Sequence, residues 1–411
     1  RARHAGACPP AAHDRACSVS VAQSLPEPPA PPSTAVDRIH LAALAGLDLM
    51  TTPRLVALQS GRTPEEAFAV ATGSEAPSGA IAALFEQTSG LRARWAASAE
   101  RNRPDDVAER CANLGVQIVA PDDDDFPPQL RDDPRRPAVL FVQGDIRSLD
   151  ARRVGIVGTR NPTRRGALTA ERFGRELADA GVVVVSGLAL GIDGAAHLGA
   201  LESPGSRPVA VVANGHDRPY PKRHGRLWAQ VAERGAVISE WPPGVAPDPF
   251  RFPQRNRVLA ALSEIVLVVE SRERGGSLIT AREAAERGID VFAVPGPIDQ
   301  RSSLGTNSLL ADGAAPAFDV DCLLVAIGLD HRRAGRERVD TRRGPDADGA
   351  VVRDLLRERP GSIESIAHRT GWPLGRAAKA LVTLERDGWL VEVGGWYEST
   401  ESIGGSRRHE W

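Results

Sequence analysis

The sequence predicts an α/β fold, a mainly parallel sheet with an N-terminal helical domain and a C-terminal winged-helix domain, and three observations carry that expectation. First, short β-rich runs recur from residue 112 onward: "VQIVA" (116–120), "AVLFV" (138–142), "VGIVG" (154–158), "VVVVS" (182–186), "PVAVVA" (208–213), "AVISE" (236–240), "EIVLVVE" (264–270) and "DVFAVPG" (290–296). Helical stretches such as "TAERFGRELADAG" (169–181) and "TAREAAERG" (280–288) separate most of them. Continuous apolar strands alternating with helices indicate parallel strands covered on both faces. Second, "VVVVSGLALGIDGAAH" (182–197) runs a buried strand into glycines and then into a helix start. Such a handover aims unpaired backbone N–H groups at an anion. Third, the chain closes with "AVVRDLLRE", "SIESIAHRTG" and "PLGRAAKALVTLERDG", then the alternating "WLVEVGGWYES" with a Gly394-Gly395 turn. Three helices and a hairpin in so short a span predict a winged helix-turn-helix.

Taken in order, residues 1–34 contain "SLPEPPAPPSTA" and little that builds a core, so they are expected to form a disordered, Pro-rich leader. Over 35–103 the apolar residues Ile39, Leu41, Leu44, Leu47, Leu55, Val56 and Leu58 recur at helical spacing, which predicts a small helical domain. The α/β domain is expected over 112–328, a charged linker over 329–349, the winged helix over 350–399 and a tail over 400–411. Cys8, Cys17, Cys111 and Cys322 form no metal-binding spacing and no disulfide framework, so neither a metal nor a cofactor is expected. No apolar run approaches the roughly 20 residues that span a bilayer, and the first residues lack a signal peptide's apolar core. A cytoplasmic protein without a membrane partner is the expectation. The net charge is only −2, so a polyanion site has to be a local basic patch.

In a parallel α/β sheet the loops that follow the strands meet along one edge, where such folds bind ligands. Those loops are rich in cations. "TRNPTRRG" carries Arg160, Arg164 and Arg165; "NGHDRPYPKRHGRL" carries Arg218, Lys222, Arg223 and Arg226; "FRFPQRNRVLAALS" carries Arg251, Arg255 and Arg257; "SRERGGSLITAREA" carries Arg272 and Arg274. Glycines let a phosphate approach the backbone, Ser186 and Ser277 offer hydroxyls, and arginine binds phosphate with two parallel hydrogen bonds. A G-x-G-x-x-G fingerprint and a Walker A loop are both missing, which disfavours conventional dinucleotide and ATP sites. Phe250, Phe252 and Tyr220 are the aromatic candidates for stacking on bases.

The blocks "VGIVGTRNPTRRG", "SGLALGIDGAAH", "FPQRNRVLAALS", "GGSLITAREAAERGIDVFAVPG" and "GTNSLLADGA" resemble, in order and spacing, those of the DNA-processing protein A (DprA, Smf) family over residues 112–328. The resemblance implies an extended Rossmann domain that binds single-stranded DNA, forms a homodimer and places RecA recombinase on incoming strands in natural transformation. The segment 35–103 then corresponds to a SAM-like or helix-hairpin-helix-like domain, although "LAGLDLM" lacks the Gly-x-Gly of a helix-hairpin-helix. Carried over residue by residue, the DNA-binding set is Arg160, Ser186, Gly187, Arg226, Arg255, Asn256, Arg257, Gly275, Gly276, Ser277, Thr280, Gly305, Thr306 and Asn307. His224 stands where Asn is common, and Ala261 where Gly is usual.

A binding protein rather than an enzyme is therefore expected. The alternative is a nucleoside-monophosphate phosphoribohydrolase of the lysine-decarboxylase-like type, which "RGGSLITAREA" resembles with Glu283 in the catalytic place, although Arg274 and Leu278 depart from that motif. His197, four residues after Asp193, is read as a packing residue, and Asp122 to Asp125 as solvated carboxylates. In the C-terminal module Arg376 and Lys379 fall on the expected recognition helix, while Trp372, Trp389 and Trp396 are expected to fill its core.

Overall fold

The computed structural model describes residues 34–329 and 344–400, which fall into two compact units. The expected leader up to residue 33, the linker over 330–343 and the tail over 401–411 lie outside the described residues.

The first unit begins with six helices, α1 (Ala35–Ala45), α2 (Thr52–Gln59), α3 (Pro64–Thr72), α4 (Gly79–Gln87), α5 (Leu91–Ala99) and α6 (Pro104–Asn113). Their limits follow from local chemistry. Thr63 and Glu66 form a reciprocal capping box before α3, Pro64 stands in its first turn, and Gly73 ends it at φ 93°. The helices pack around fully buried Trp95, whose indole N–H donates to the Asp48 carbonyl at 2.9 Å.

A nine-stranded sheet follows: β1 (Val116–Val119), β2 (Leu140–Gly144), β3 (Arg153–Val157), β4 (Val183–Ser186), β5 (Val209–Val212), β6 (Ala236–Ser239), β7 (Ile265–Val268), β8 (Asp290–Ala293) and β9 (Ala315–Pro316). The spatial order is β1-β2-β6-β5-β4-β3-β7-β8-β9. From β6 to β9 all neighbours run parallel, whereas β1 and β2 extend the sheet antiparallel on the β6 side. The eight runs recognised in the sequence are all strands, and the mainly parallel α/β expectation holds. The two-residue β9 is too short to leave a periodic signal.

The helices between strands are α7 (Pro128–Arg131), α8 (Arg164–Asp179), α9 (Ile192–Glu202), α10 (Gly225–Arg234), α11 (Arg251–Ala261), α12 (Ser277–Ala285), α13 (Leu304–Ala311) and α14 (Val320–Ala326). Side chains alternate between faces as the pleat requires. On β4 and β7, Val183, Val185, Val266 and Val268 join a core built with α11 and α12, while Val184, Ile265 and Leu267 join one built with α8, α9 and α14. β2 divides likewise: Leu140 and Val142 enter the central core, and Phe141, with Val139 beside it, enters the core of the N-terminal helices. The helical segment and the sheet thus share apolar surface.

The second unit contains α15 (Ala347–Glu358), β10 (Gly361–Ser362), α16 (Ile363–Thr370), α17 (Leu374–Arg386), β11 (Leu390–Val393) and β12 (Trp396–Ser399), its strands ordered β10-β12-β11. Trp389 is buried and Trp372 half-buried, but Trp396 is 54% exposed, so the expectation that it fills the core is corrected. Its position directly after the Gly394-Gly395 turn puts it on the hairpin, paired with Val393, which is itself exposed. Arg376 is not free on α17 either: its guanidinium grips the Asp348 carboxylate at 2.8 and 2.7 Å and stacks over Trp372 at 4.2 Å.

α8 and α9 approach through glycines. A Cβ at Gly174 would lie 2.2 Å from the Ala196 carbonyl oxygen, and one at Gly199 would lie 1.9 Å from that of Glu171. Alanine is normally the better helix former, by about 1 kcal/mol. At this contact the overlap outweighs that gain, and Gly199→Ala is expected to lower stability by about 2 kcal/mol, read as a lower urea midpoint at unchanged slope.

Candidate nucleic-acid interface

From β3 the chain moves outward through β4, β5 and β6, then returns to the opposite side of β3 through β7 and β8. The loops after β3 and β7 part at this reversal, the place where open α/β sheets bind ligands. Here those loops are tied together. Thr159 N–H donates to the Glu270 carbonyl at 2.7 Å, and Ile192 N–H donates to the Thr159 carbonyl at 3.2 Å. Gly191, at φ 81°, passes so close that a Cβ would lie 2.4 Å from the Thr159 oxygen. Leu188, buried in the same loop, holds a left-handed φ of 53°, a conformation that costs about 1 kcal/mol or more in a non-glycine residue.

Arg160 emerges exposed from the β3 loop, and its guanidinium stacks 4.6 Å from the centre of the Phe252 ring. Tyr220 adds a third member to this group, its ring 5.9 Å from that of Phe252 and tilted by 46°. Beneath them is a cleft lined by Gly187, Leu190, Asn214 and Arg255, enclosing only about 40 Å³. Small-molecule sites are usually about 300–1,000 Å³. The cleft is therefore too small for an ordinary small-molecule ligand, and Arg160, Phe252 and Tyr220 give it an aromatic and cationic wall. Gly187 forms its floor, where a Cβ would lie 1.7 Å from Arg255 Nη1.

The remaining residues expected at the site divide into those at the surface and those beneath it. Arg226 is exposed in the first turn of α10, and Gly276 is exposed with open space where a side chain would start. Gly275 backs onto Ser271, whose hydroxyl would be 2.2 Å from a Cβ. Half-buried Asn256 donates weakly to the Gly276 carbonyl at 3.5 Å. Gly305 N–H donates to the Ser271 carbonyl at 2.8 Å, and Asn307 exchanges bonds of 3.2 and 3.0 Å with the Gly296 backbone. The Gly305 bond ties the loop after β8 to the loop after β7, and the Asn307 bonds close the β8–α13 connection on itself. Thr306 and Thr280 are buried, the former donating to the Ser303 carbonyl at 3.1 Å.

Several expectations are corrected. The Ser186 hydroxyl is buried and donates to the Ile156 carbonyl at 2.6 Å, and that of Ser277 donates to Ser271 Oγ at 2.9 Å, so both are turned inward, away from a phosphate. Arg255 is buried, donates to the Val211 carbonyl at 2.6 Å and lies beside the charge of Asp193. Burial drives the Asp193 pKa upward, against the pull of Arg255. Arg257 is buried as well; it pairs with Glu240, donates to the Arg135 carbonyl and reaches Thr52 of α2 at 2.8 Å. It fastens the N-terminal helices to the sheet. Glu240, also buried, has its pKa raised by desolvation, with Arg257 opposing the shift.

His224 turns toward the glycine loop, its Nδ1 lying 3.0 Å from the Leu188 carbonyl oxygen. Asp123 is not solvated as expected: it accepts from Ala120 N–H at 2.8 Å and pairs with Arg38. Glu283, the acid of the alternative reading, is held by Arg135 and, at 2.7 Å, by Arg287. A carboxylate clasped by two guanidinium groups is poorly placed for chemistry on a nucleotide, and the phosphoribohydrolase reading is not favoured. His197 is fully buried and burial pushes its pKa down to about 3, so the ring stays neutral, with a single N–H, at physiological pH. The residue that the sequence reading missed is Glu270. Its signal was a carboxylate directly after the apolar run "IVLVV", on the loop facing the first glycine turn.

The exposed cations Arg160, Lys222, Arg223, Arg226, Arg272 and Arg274 all arise from connections at the C-terminal edge of the parallel strands. Fold and rim together define an α/β protein of the extended Rossmann type with a cationic strand-end edge. The family profile described as DNA recombination-mediator protein A matches residues 117–328. Protein Smf of Escherichia coli K12 is 36% identical over 286 residues, 68% of this chain and 76% of that protein. DNA processing protein DprA of Bacillus subtilis is 40% identical over 208 residues, 50% of this chain and 70% of that protein. The crystal structure of DNA processing protein A from Streptococcus pneumoniae superposes with a TM-score of 0.58 at 30% identity, covering 71% of this chain and 98% of the other. The chain belongs to the DNA recombination-mediator protein A family. Among the described residues no helix is long and apolar enough to cross a membrane.

Removing Arg257 leaves Glu240 buried without its cation, so Arg257→Ala is expected to cost about 3–5 kcal/mol in urea unfolding. His197 gives a pH signature. Its pKa is about 3 folded and about 6.5 unfolded, so the unfolded state takes up the proton first and stability is lost as pH falls below about 6.5. Between pH 7 and pH 5 the wild type is expected to lose about 2 kcal/mol more than His197→Leu, measured by denaturant titration at both pH values.

Proposed function

We propose that this chain binds single-stranded DNA along the rim, protects it, and loads RecA recombinase onto it during natural transformation and DNA recombination. The observation that carries this reading is the gathering of exposed cations from several separate connections on one sheet edge, beside the Arg160–Phe252–Tyr220 wall. Cations spaced along a shallow track neutralise successive phosphates without reading sequence. Flat side chains beside them give bases a face on which to stack. A duplex hides its bases, so a track with a stacking wall favours a single strand.

The DNA-contacting set is Arg160, Arg226 and the exposed backbone at Gly276, with Phe252 and Tyr220 stacking. Gly187, Arg255, Asn256, Gly275, Gly305 and Asn307 shape the surface from beneath. A homodimer joins two rims and lengthens the track, raising avidity without new kinds of contact. Membership of a recombination-mediator family supports a recombinase as the protein partner. In this reading the chain acts by binding, in the cytoplasm, and uses no cofactor.

Fluorescence anisotropy with labelled oligothymidine and with duplex, across a salt series, tests the reading. Oligothymidine affinity is expected to exceed duplex affinity and to fall by about 0.7 log units per log unit of salt for each phosphate contacted. Arg160→Ala is expected to weaken oligothymidine about tenfold and to flatten the salt slope by about one contact. Equal binding of both probes, or an unchanged Arg160→Ala slope, overturns the reading.

A further inference from the structure

We propose that Glu270 is a resident anion: its carboxylate fills the place at the sheet's reversal where a nucleotide phosphate would sit, and thereby positions Arg160. The second half rests on the DNA-binding reading above; the first half does not.

The geometry is closed on every side. Glu270 follows β7 after one residue and stands opposite the start of α8, at the crevice between β3 and β7. In nucleotide-binding sheets of this class the first helix presents its free N–H groups to a phosphate at this point. Here the Glu270 carboxylate accepts from Thr163 N–H at 2.9 Å and from the Thr163 hydroxyl at 2.5 Å. Thr163 Oγ1 in turn accepts from Gly166 N–H at 3.0 Å, so the negative charge is relayed into the first turn of α8. No gap remains for a second anion: a Cβ at Gly166 would lie 2.3 Å from Glu270 Cδ, and Glu270 is only 8% exposed. A ligand phosphate would meet both a filled volume and a like charge.

The same residue sets the shape of the β3 turn. Its backbone carbonyl accepts from Thr159 N–H, while its carboxylate holds Thr163, so the five-residue span that carries Arg160 is fastened at both ends to one side chain and its own backbone. The carboxylate acts on Arg160 by fixing the turn that directs the guanidinium over Phe252. Glu270 is thus a positioning residue for the track and a specificity device against nucleotides.

The test uses the full chain with Glu270→Ala, Glu270→Gln, Gly166→Ala, Arg160→Ala and the double variant Glu270→Ala/Arg160→Ala. Inorganic phosphate is titrated by calorimetry, and labelled oligothymidine by anisotropy. Wild type is expected to bind no phosphate and Glu270→Ala to bind it at millimolar concentration, because removal of the carboxylate opens the helix start. For oligothymidine, Glu270→Ala is expected to lose about tenfold, with Glu270→Gln restoring affinity to within about threefold since its amide still satisfies Thr163. The double variant is expected to bind no more weakly than Arg160→Ala alone, the mark of one residue acting through the other. Should Glu270→Ala fail to fold, Gly166→Ala displaces the carboxylate by a methyl group and is expected to give the same oligothymidine loss.

Fully additive losses in the double variant, or wild-type affinity in folded Glu270→Ala or Gly166→Ala, overturn the positioning role. Absence of phosphate binding in folded Glu270→Ala overturns the resident anion. If wild type binds no oligothymidine, the DNA-binding reading fails, and the phosphate titration still decides the first half.

Discussion

The common direction of the seven strands from β6 to β9 is the constraint on which this molecule depends. Parallel strands need a crossover between every pair, and each crossover returns through the same edge. Connections distant in sequence are therefore delivered to one rim without any interaction between them being required. What specific interactions add is shape. The Thr159, Ile192 and Glu270 backbone bonds and the Gly305–Ser271 bond fasten neighbouring loops, so the rim is a fixed surface rather than a set of independent loops.

Arginine serves two opposed purposes on that surface, and burial separates them. Arg160 and Arg226 keep their charge in water, where a polyanion can reach it. Arg255 and Arg257 are withdrawn from water and matched with Asp193 and Glu240. A buried guanidinium with its own carboxylate has little net attraction for a distant phosphate. Its contribution is geometric: Arg255 crosses the floor formed by Gly187, and Arg257 ties α2 to the sheet through Thr52. Even Arg255 and Arg257, two residues apart in one basic block, serve different parts of the structure.

The parallel sheet was legible because its signal is repetitive. Every strand from β3 to β8 is an apolar run bounded by turn residues, and the helices between them show their own period. The rim was legible too, since topology alone places loop residues such as Arg160, Lys222 and Arg274. Side-chain direction was not. Nothing in "RNR" distinguishes the half-buried Asn256 from the two buried arginines on either side, and the inward turn of the Ser186 hydroxyl depends on the Ile156 carbonyl of a neighbouring strand. Glu270 escaped notice for the same reason: its partner Thr163 lies 107 positions away in sequence. Trp396 was misplaced because a tryptophan in a small module is usually core, and the hairpin turn that exposes it was read for its glycines alone.

The split of β2 between two apolar layers has a bearing on how the chain can be divided. A fragment starting at β1 would leave Phe141, Val139 and Val116 without the helices that cover them, on strands at the outer margin of the sheet. Uncovered margins of that kind adhere to other chains. The N-terminal helices are thus a lid whose loss bares an adhesive sheet margin, and trimming that spares the fold has to stop upstream of α1.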